Sequence, residues 1–428
     1  MSGSDRSGGR GRWQDPLWQG GFLVGAAIGA AATVLGRHAE RVARQGLVDW
    51  PAAEAFAIGR LRRAPGSLTP AELAATEPAY AAAMARITPR LARVLEAELP
   101  GVVDRAGVVD RAGWVRANIA TFAQLIGHLE GQLLDQVIPP GGGLAKASMA
   151  IANRYLTTRQ LGFLLGFMGQ RVLGQYDLAL LSAEATPGRL LFVEENIRQT
   201  AHALDVPLDA FRTWIALHET THAFEFEAHP WLRPYLAQRL ERQLDAFSRD
   251  LTVVSRDTVR QLGRVLRGGG EGDHWLERLM TDEQRRLFRE TQAVMSLLEG
   301  FSDYVMDEVG RDLVPDVERI RSRFQERRER RSGFERAVMR LIGMDLKLEQ
   351  YRKGELFVRA IVREGGPDAL RRLWAGPESL PTPAEIDAPG RWLARVRGAE
   401  SSVGGRQDVV GGGEAAVSPA RRTGPPEA

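Results

Sequence analysis

The 428-residue sequence contains no cysteine at all. Disulfides, cysteinyl zinc sites and thiol nucleophiles are thereby excluded, while the redox compartment stays open. Histidine is scarce as well, at seven residues. Few segments alternate strictly between apolar and polar residues; most repeat apolar residues at i, i+3 and i+4. Neither sign of charge dominates, with 57 Lys and Arg against 54 Asp and Glu and a formal net charge of +3. Acidic residues interleave the basic ones throughout, so composition gives no argument for a nucleic-acid partner. A phosphate loop is missing too: Pro139-Pro140-Gly141-Gly142-Gly143 lacks the second glycine and the GK[ST] ending that cradle a phosphate.

What is present is enough for a large core, since 44% of the residues are hydrophobic. The expected fold class is mainly α (α+β), with many helices and a small sheet. Residues 1–16, opening on a Gly/Ser/Arg-rich run, are expected to be disordered. Residues 17–46 form a Gly/Ala-rich helix, within which Leu17 to Leu35 carries no charge and spaces Gly21, Gly25 and Gly29 by four. Two readings of that stretch stay open: a soluble helix packed by its small face, or a membrane anchor. Glycine and alanine contribute little to insertion, the flanks are about equally basic, and no convincing cleavage site follows. The expected location is the cytoplasm, with membrane association through Leu17 to Leu35 as the open alternative. Residues 47–397 make up the expected globular domain, and 398–428 a low-complexity disordered tail. Oligomeric state is left unspecified.

Within the domain, Val48 to Leu99 reads as helices broken at Pro65-Gly66 and capped near Thr69-Pro70. The hexapeptide Gly101-Val-Val-Asp-Arg-Ala106 is repeated at once as Gly107-Val-Val-Asp-Arg-Ala112. Only the second copy runs into the amphipathic helix Trp114 to Leu134, so the first reads as a loop extension. Leu161 to Leu173 reads as a buried helix, and Gly188 to Val193 as the clearest strand. Helices are expected over Leu236 to Leu266, over the Arg-rich and solvated Glu318 to Arg331, and over Lys347 to Val362. The last of these ends at Gly365-Gly366-Pro367, and a short helix follows around Trp392.

The most informative residues are His218-Glu219-Thr220-Thr221-His222. With so few histidines, a chance HExxH turns up in roughly one such chain per hundred. Leu208 to Glu227 reads as one helix, opened by Pro207 and Asp209 and stopped by Pro230. On a helix, residues four apart project from one face, so both imidazoles point the same way. They supply two of the three protein ligands of an open zinc site, and Glu219 is placed to take a proton from a water there. The extended HExxHxxGxxH pattern fails, because Glu225 stands where Gly is needed and Ala228 where the third His belongs. Glu225 shares the helical face but lies roughly 10 Å along the axis from His218. His229 lies beyond the helix end. A third ligand is therefore expected from another helix.

The best candidate helix runs from Thr281 to Asp307, capped by Thr281 or Asp282, with Phe288, Val294, Met295, Leu298, Val305 and Met306 on its buried side. It sets Glu299 and Asp303 on one face, and Gly300 would let a neighbouring helix come close. HExxH followed by Glu-x-x-x-Asp resembles the glutamate-type zincins. That resemblance implies zinc ligands His218, His222 and Glu299, a general base in Glu219, and Asp303 orienting the first histidine. It also implies an edge strand upstream of the metal helix that pairs with an extended substrate, for which Phe192 to Asn196 is the candidate; a plain internal strand is the alternative.

Further stretches resemble one family, the type 2 zincin-like metallopeptidases of bacteria, whose members are often labelled hydrolases associated with deazaflavin-coenzyme biosynthesis. They are Val48-Asp49-Trp50, Val108 to Asn118, Arg171 to Asp177, Trp214 to His222, Pro230 to Arg233, Leu298 to Asp303, Gln350 to Arg352 and Phe357 to Arg359. The likeness runs from about Val48 to Val396. It implies a zincin-like fold and a Zn2+ cofactor but does not fix the substrate, which is expected to be a peptide or protein from the hydrolytic chemistry. Two departures stand out. The gap from His222 to Glu299 is long, and no His follows His274 to steady an oxyanion, which leaves Tyr304, Tyr351 and Arg352 as candidates. A catalytically inactive binding or scaffold protein with a zincin shell is the alternative.

Overall fold

Proline, threonine and glycine punctuate the first helices where their chemistry demands. In a computed structural model, which describes residues 46–98, 101–137, 144–177, 188–250, 280–329 and 347–407, helix α1 spans Trp50–Leu61. The Asp49 side chain caps it by accepting the Ala52 N–H at 3.1 Å. Gly66 then turns the chain with φ 79°, at the predicted break. Thr69 and Glu72 form a reciprocal capping box at α2 (Pro70–Ala74). Helix α3 (Glu77–Leu95) buries Tyr80, Ala83, Met84, Ile87 and Leu91, the stripe its spacing calls for.

The duplicated hexapeptide adopts two structures. Residues 101–105 are turns, whereas strand β1 (Ala106–Val109) takes its Gly-Val-Val from the second copy. Helix α4 (Arg111–Val137) begins directly after it. Helix α5 (Leu144–Gly169) starts well before the predicted Leu161 and ends before Leu173. It packs on α1 through glycine: a Cβ at Gly162 would lie 2.8 Å from the Ala53 carbonyl oxygen. Strands β2 (Gly174–Asp177) and β3 (Arg189–Val193) complete a three-stranded sheet in the order β1-β3-β2. Strand β1 runs parallel to β3 and β2 antiparallel to it.

One expectation is corrected here. Phe192 to Asn196 is not an edge strand, because β3 is hydrogen-bonded on both sides and α6 (Glu194–Leu204) starts where the edge would continue. The reason is burial: Leu190 to Val193 is wholly buried, and an unbroken apolar run of this kind suits a central strand. Among the described residues, the outer strands are β1 and β2.

Helices α7 (Leu208–Ala228), α8 (Leu232–Asp250), α9 (Asp282–Leu313) and α10 (Val317–Glu329) follow. Thr281 caps α9 through a capping box with Gln284. The Arg-rich α10 is solvated on one side only. It buries Ile320 and sets the Phe324 ring 5.0 Å from that of Trp214. The last helices are α11 (Lys347–Gly365), α12 (Pro367–Leu373), α13 (Pro383–Ile386) and α14 (Pro389–Gln407). Helix α14 is longer than the short helix expected and passes the 397/398 limit set for the tail. No proline interrupts it before Pro419, so nothing there denies the backbone its bonds.

Residues 1–16, Leu17 to Leu35, Pro139 to Gly143, the far part of the Leu236 to Leu266 helix and the tail beyond Gln407 lie outside the described residues. Among the described residues, no helix is long and apolar enough to cross a membrane.

The chain divides into two compact units, Met1–Leu287 with Val305–Val338, and Phe288–Tyr304 with Met339–Ala428. In the first, Ala57, Leu61, Trp114, Val115, Leu165 and Val193 form a core where α1, α4, α5 and β3 meet. In the second, α11 and the middle of α9 cross at a pair of glycines, as Gly300 suggested. A Cβ on Gly354 would lie 1.8 Å from the Ser296 carbonyl oxygen, and one on Gly300 2.2 Å from the Gly354 carbonyl carbon. The Phe357 and Trp392 rings meet edge to face at 5.7 Å, and Trp392 donates to the Ser379 carbonyl at 2.7 Å. Gly354→Ala will overpack this crossing and destabilise the chain by about 1–3 kcal/mol or more. A lowered urea midpoint at unchanged m-value checks it.

Candidate metal centre

Helix α7 is buried almost all round. Between Ala210 and Phe226 only Trp214, His218 and His222 are not buried, and they are spaced by four residues. The two residues between the histidine-bearing turns pose a problem, since Thr220 and Thr221 carry hydroxyls into the core. Each hydroxyl donates back to its own helix, Thr220 to the Ala216 carbonyl at 2.6 Å and Thr221 to the Leu217 carbonyl at 2.9 Å. The helix thus turns its polar side chains inward without orphaning them and keeps one stripe for the histidines.

The His218 and His222 Nε2 atoms face each other at 3.3 Å. Two zinc–nitrogen bonds of about 2.0–2.1 Å at a tetrahedral angle set the nitrogens about 3.3 Å apart, so the pair fits one such ion. Among the described residues, His218, His222 and Glu299 are the group that could hold a metal ion. Two imidazole nitrogens and one carboxylate oxygen are a donor set that suits zinc with one position left for water. Asp303 and Tyr304, both half-buried, follow Glu299 on α9. Arg352 is exposed on α11, and the Tyr351 side chain lies outside the described residues.

Each imidazole is held from behind. His218 Nδ1 lies 3.3 Å from Met306 Sδ. His222 Nδ1 lies 2.7 Å from Glu225 Oε2, with Glu225 itself buried at 1% exposure. A carboxylate on Nδ1 fixes the tautomer that presents the Nε2 lone pair. Sequence reasoning weighed Glu225 only as a ligand and missed this contact. The signal was there, because i and i+3 are neighbours on a helix. His229 ends the helix with Nδ1 2.7 Å from the Glu225 carbonyl oxygen, and burial lowers its pKa.

Glu219 is buried beside the sheet. Its Oε2 accepts the Tyr176 N–H at 3.1 Å, and Gly174 leaves room for it, since a Cβ there would sit 2.6 Å from Glu219 Cγ. Neither Gly174 nor Tyr176 was legible as a site residue. The stretch Arg171 to Asp177 counted only as family likeness, and strand pairing alone brings it to α7.

Residues 48–393 match the family described as zincin-like metallopeptidase. A protein from Chloroflexus aurantiacus, whose crystal structure is described as that of "a putative hydrolase with a novel fold", is 36% identical; the match covers 82% of this chain and 99% of that one, with a TM-score of 0.60. Comparison with curated proteins finds no match.

The Glu225 contact yields a direct expectation. Glu225→Gln will weaken zinc binding by about 10–100-fold while the far-ultraviolet spectrum stays that of the wild type. Competition against a chromophoric chelator measures it, and unaltered affinity would show that the carboxylate does not support the His222 ring.

Proposed function

The chain belongs to the zincin-like metallopeptidase family, and from that premise we propose that it is a zinc-dependent hydrolase cleaving peptide amides. The observation that carries this reading is the pair of His218 and His222 Nε2 atoms 3.3 Å apart on one helix, with Glu219 one residue along from the first and Glu299 as the carboxylate that could hold a metal with them. His218, His222 and Glu299 hold the metal, and Asp303 orients His218. Zinc held there supplies Lewis acidity, which favours deprotonation of a water near neutral pH and polarises a carbonyl.

The protein's own residues do the rest. Glu219 takes the proton from the attacking water as its oxygen bonds to the carbonyl carbon. It then delivers that proton to the amide nitrogen as the C–N bond breaks, giving a carboxylic acid and an amine. Burial of Glu219 beside β2 supports this role, because a carboxylate held in one place near the ligands needs no search. Tyr304 serves as the phenol donor to the carbonyl oxygen. The substrate is a peptide or protein, and no nucleic-acid partner is proposed.

Two variants test the assignment. Glu219→Gln should lower turnover of a diverse peptide pool by at least about 100-fold while leaving bound zinc unchanged. Glu299→Ala should lose the metal, by elemental analysis after dialysis, and with it all chelator-sensitive cleavage. Wild-type turnover in the first variant would remove Glu219 as the base. Full zinc occupancy in the second would move the third ligand elsewhere.

A further inference from the structure

We propose that strand β2 is a positioning element for Glu219, and that Arg105, in the first copy of the duplicated hexapeptide, sets that strand in place. This rests on the reading of Glu219 as the base.

Strand register comes first. Val193 N–H donates to the Leu173 carbonyl at 2.8 Å, and Gln175 pairs with Leu191. In an antiparallel ladder, alternate residues direct their backbone bonds to opposite edges. Leu173, Gln175 and Asp177 therefore bond toward β3, while Gly174 and Tyr176 aim theirs away from it. That is why the Tyr176 N–H reaches Glu219 Oε2 at 3.1 Å. A slip by one residue would turn this N–H back into the sheet and bring a side chain against the carboxylate.

Gly174 closes the other side of the seat. A Cβ there would lie 2.6 Å from Glu219 Cγ and 2.7 Å from its Oε1. Gly174 is not among the glycines with positive φ, so its backbone conformation accepts any residue. The atoms nearest a Cβ there all belong to the Glu219 side chain.

The strand is also tied at its far end. The Tyr176 phenol donates to Glu227 Oε1 at 2.9 Å and accepts the Gly188 N–H at 3.3 Å. Burial, and then Glu227, push the phenol far above its ordinary pKa, which keeps it a donor. Arg105 grips Glu227 with both terminal nitrogens, at 2.5 and 2.8 Å, and donates to the Gly188 carbonyl at 2.9 Å. Glu219 and Glu227 are two turns apart on α7. Tyr176 thus binds one helix twice, by its backbone to Glu219 and by its phenol to Glu227, and Arg105 holds the second point. The duplicated segment is a brace for the base.

The test uses the full, zinc-loaded chain and three variants. Gly174→Ala should displace the Glu219 carboxylate from the Tyr176 N–H by about 1 Å or more in a crystal structure. It should lower kcat on a peptide drawn from the cleaved pool about 10–100-fold, with KM and zinc content unchanged. Tyr176→Phe removes one oxygen and should lower kcat about tenfold with the same split. Arg105→Ala should do likewise, and Arg105→Lys should restore part of the loss. A merely structural role would lower the folded fraction and leave kcat per folded, metal-loaded molecule intact, which overturns the proposal. So does a Gly174→Ala structure with Glu219 unmoved. If Gly174→Ala does not fold, Tyr176→Phe carries the same expectations. Should Glu219→Gln keep full turnover, or the wild type cleave no peptide, the hydrolase reading fails separately, and the crystallographic position of Glu219 decides the brace.

Discussion

Two imidazole nitrogens held 3.3 Å apart across one helical turn are the constraint to which the first unit answers. Such a pair survives only if the helix between them keeps its phase, because a small rotation would carry one ring away from the other. Helix α7 keeps its phase by being buried on nearly every side. Met84 of α3 touches the Thr220 hydroxyl at 3.1 Å, Phe324 of α10 leans on Trp214, and β2 closes over Glu219. Apolar packing fixes the axis, and the inward hydroxyls of Thr220 and Thr221, satisfied within the helix, let the packing close without an unpaired donor.

Charge is buried behind this helix as well, and it is paired. Glu194, fully buried at the start of α6, accepts the Tyr80 phenol at 2.8 Å, Arg198 at 2.6 Å, and Arg212 Nε and Nη2. Burial, reinforced by the Glu194 charge, pushes the Tyr80 phenol well above its ordinary pKa, so it remains a donor. A second set starts from Arg111, which reaches Asn196, Gln199 and the Pro65 carbonyl, while its backbone N–H donates to Glu195. Asn196 in turn donates to the Gly169 and Val172 carbonyls. These bonds tie α3, α4 and the segment between α5 and β2 to the α6–α7 pair. Losing one partner of such a set leaves a charge stranded in the interior, at a cost of about 3–5 kcal/mol. Apart from the i,i+4 pair of Glu194 and Arg198, the sequence does not advertise these sets, since Tyr80 lies far along the chain from Glu194, and Arg111 from Glu195 and Asn196.

The duplicated hexapeptide shows how far local sequence reaches. Both copies read Gly-Val-Val-Asp-Arg-Ala, yet the first is mostly turn and the second passes from strand to helix. Identical propensities cannot choose between these outcomes. The choice is made at a distance: Arg111 finds Glu195 and Asn196, Arg105 finds Glu227, and only the second copy can lie parallel to β3 with Val108 opposite Phe192. Strand β3 carries a related lesson. Its composition announced a strand, but whether it stood at the edge depended on β1 and β2, each only four residues long.

The sequence by itself determined the helix of His218 to His222, its stop near Pro230, the cap at Thr281 and the helix that carries Glu299. Helical periodicity, capping chemistry and proline act over a few residues and can be read there. It also narrowed the third ligand to another helix, because seven residues of rise separate His218 from Glu225 too widely. Only the tertiary structure decided that β2 seats Glu219, that Met306 stands behind His218, and that Arg105 reaches Glu227. Those contacts join segments tens of residues apart. Their geometry is set by packing and by satisfied buried charge, which no local pattern records.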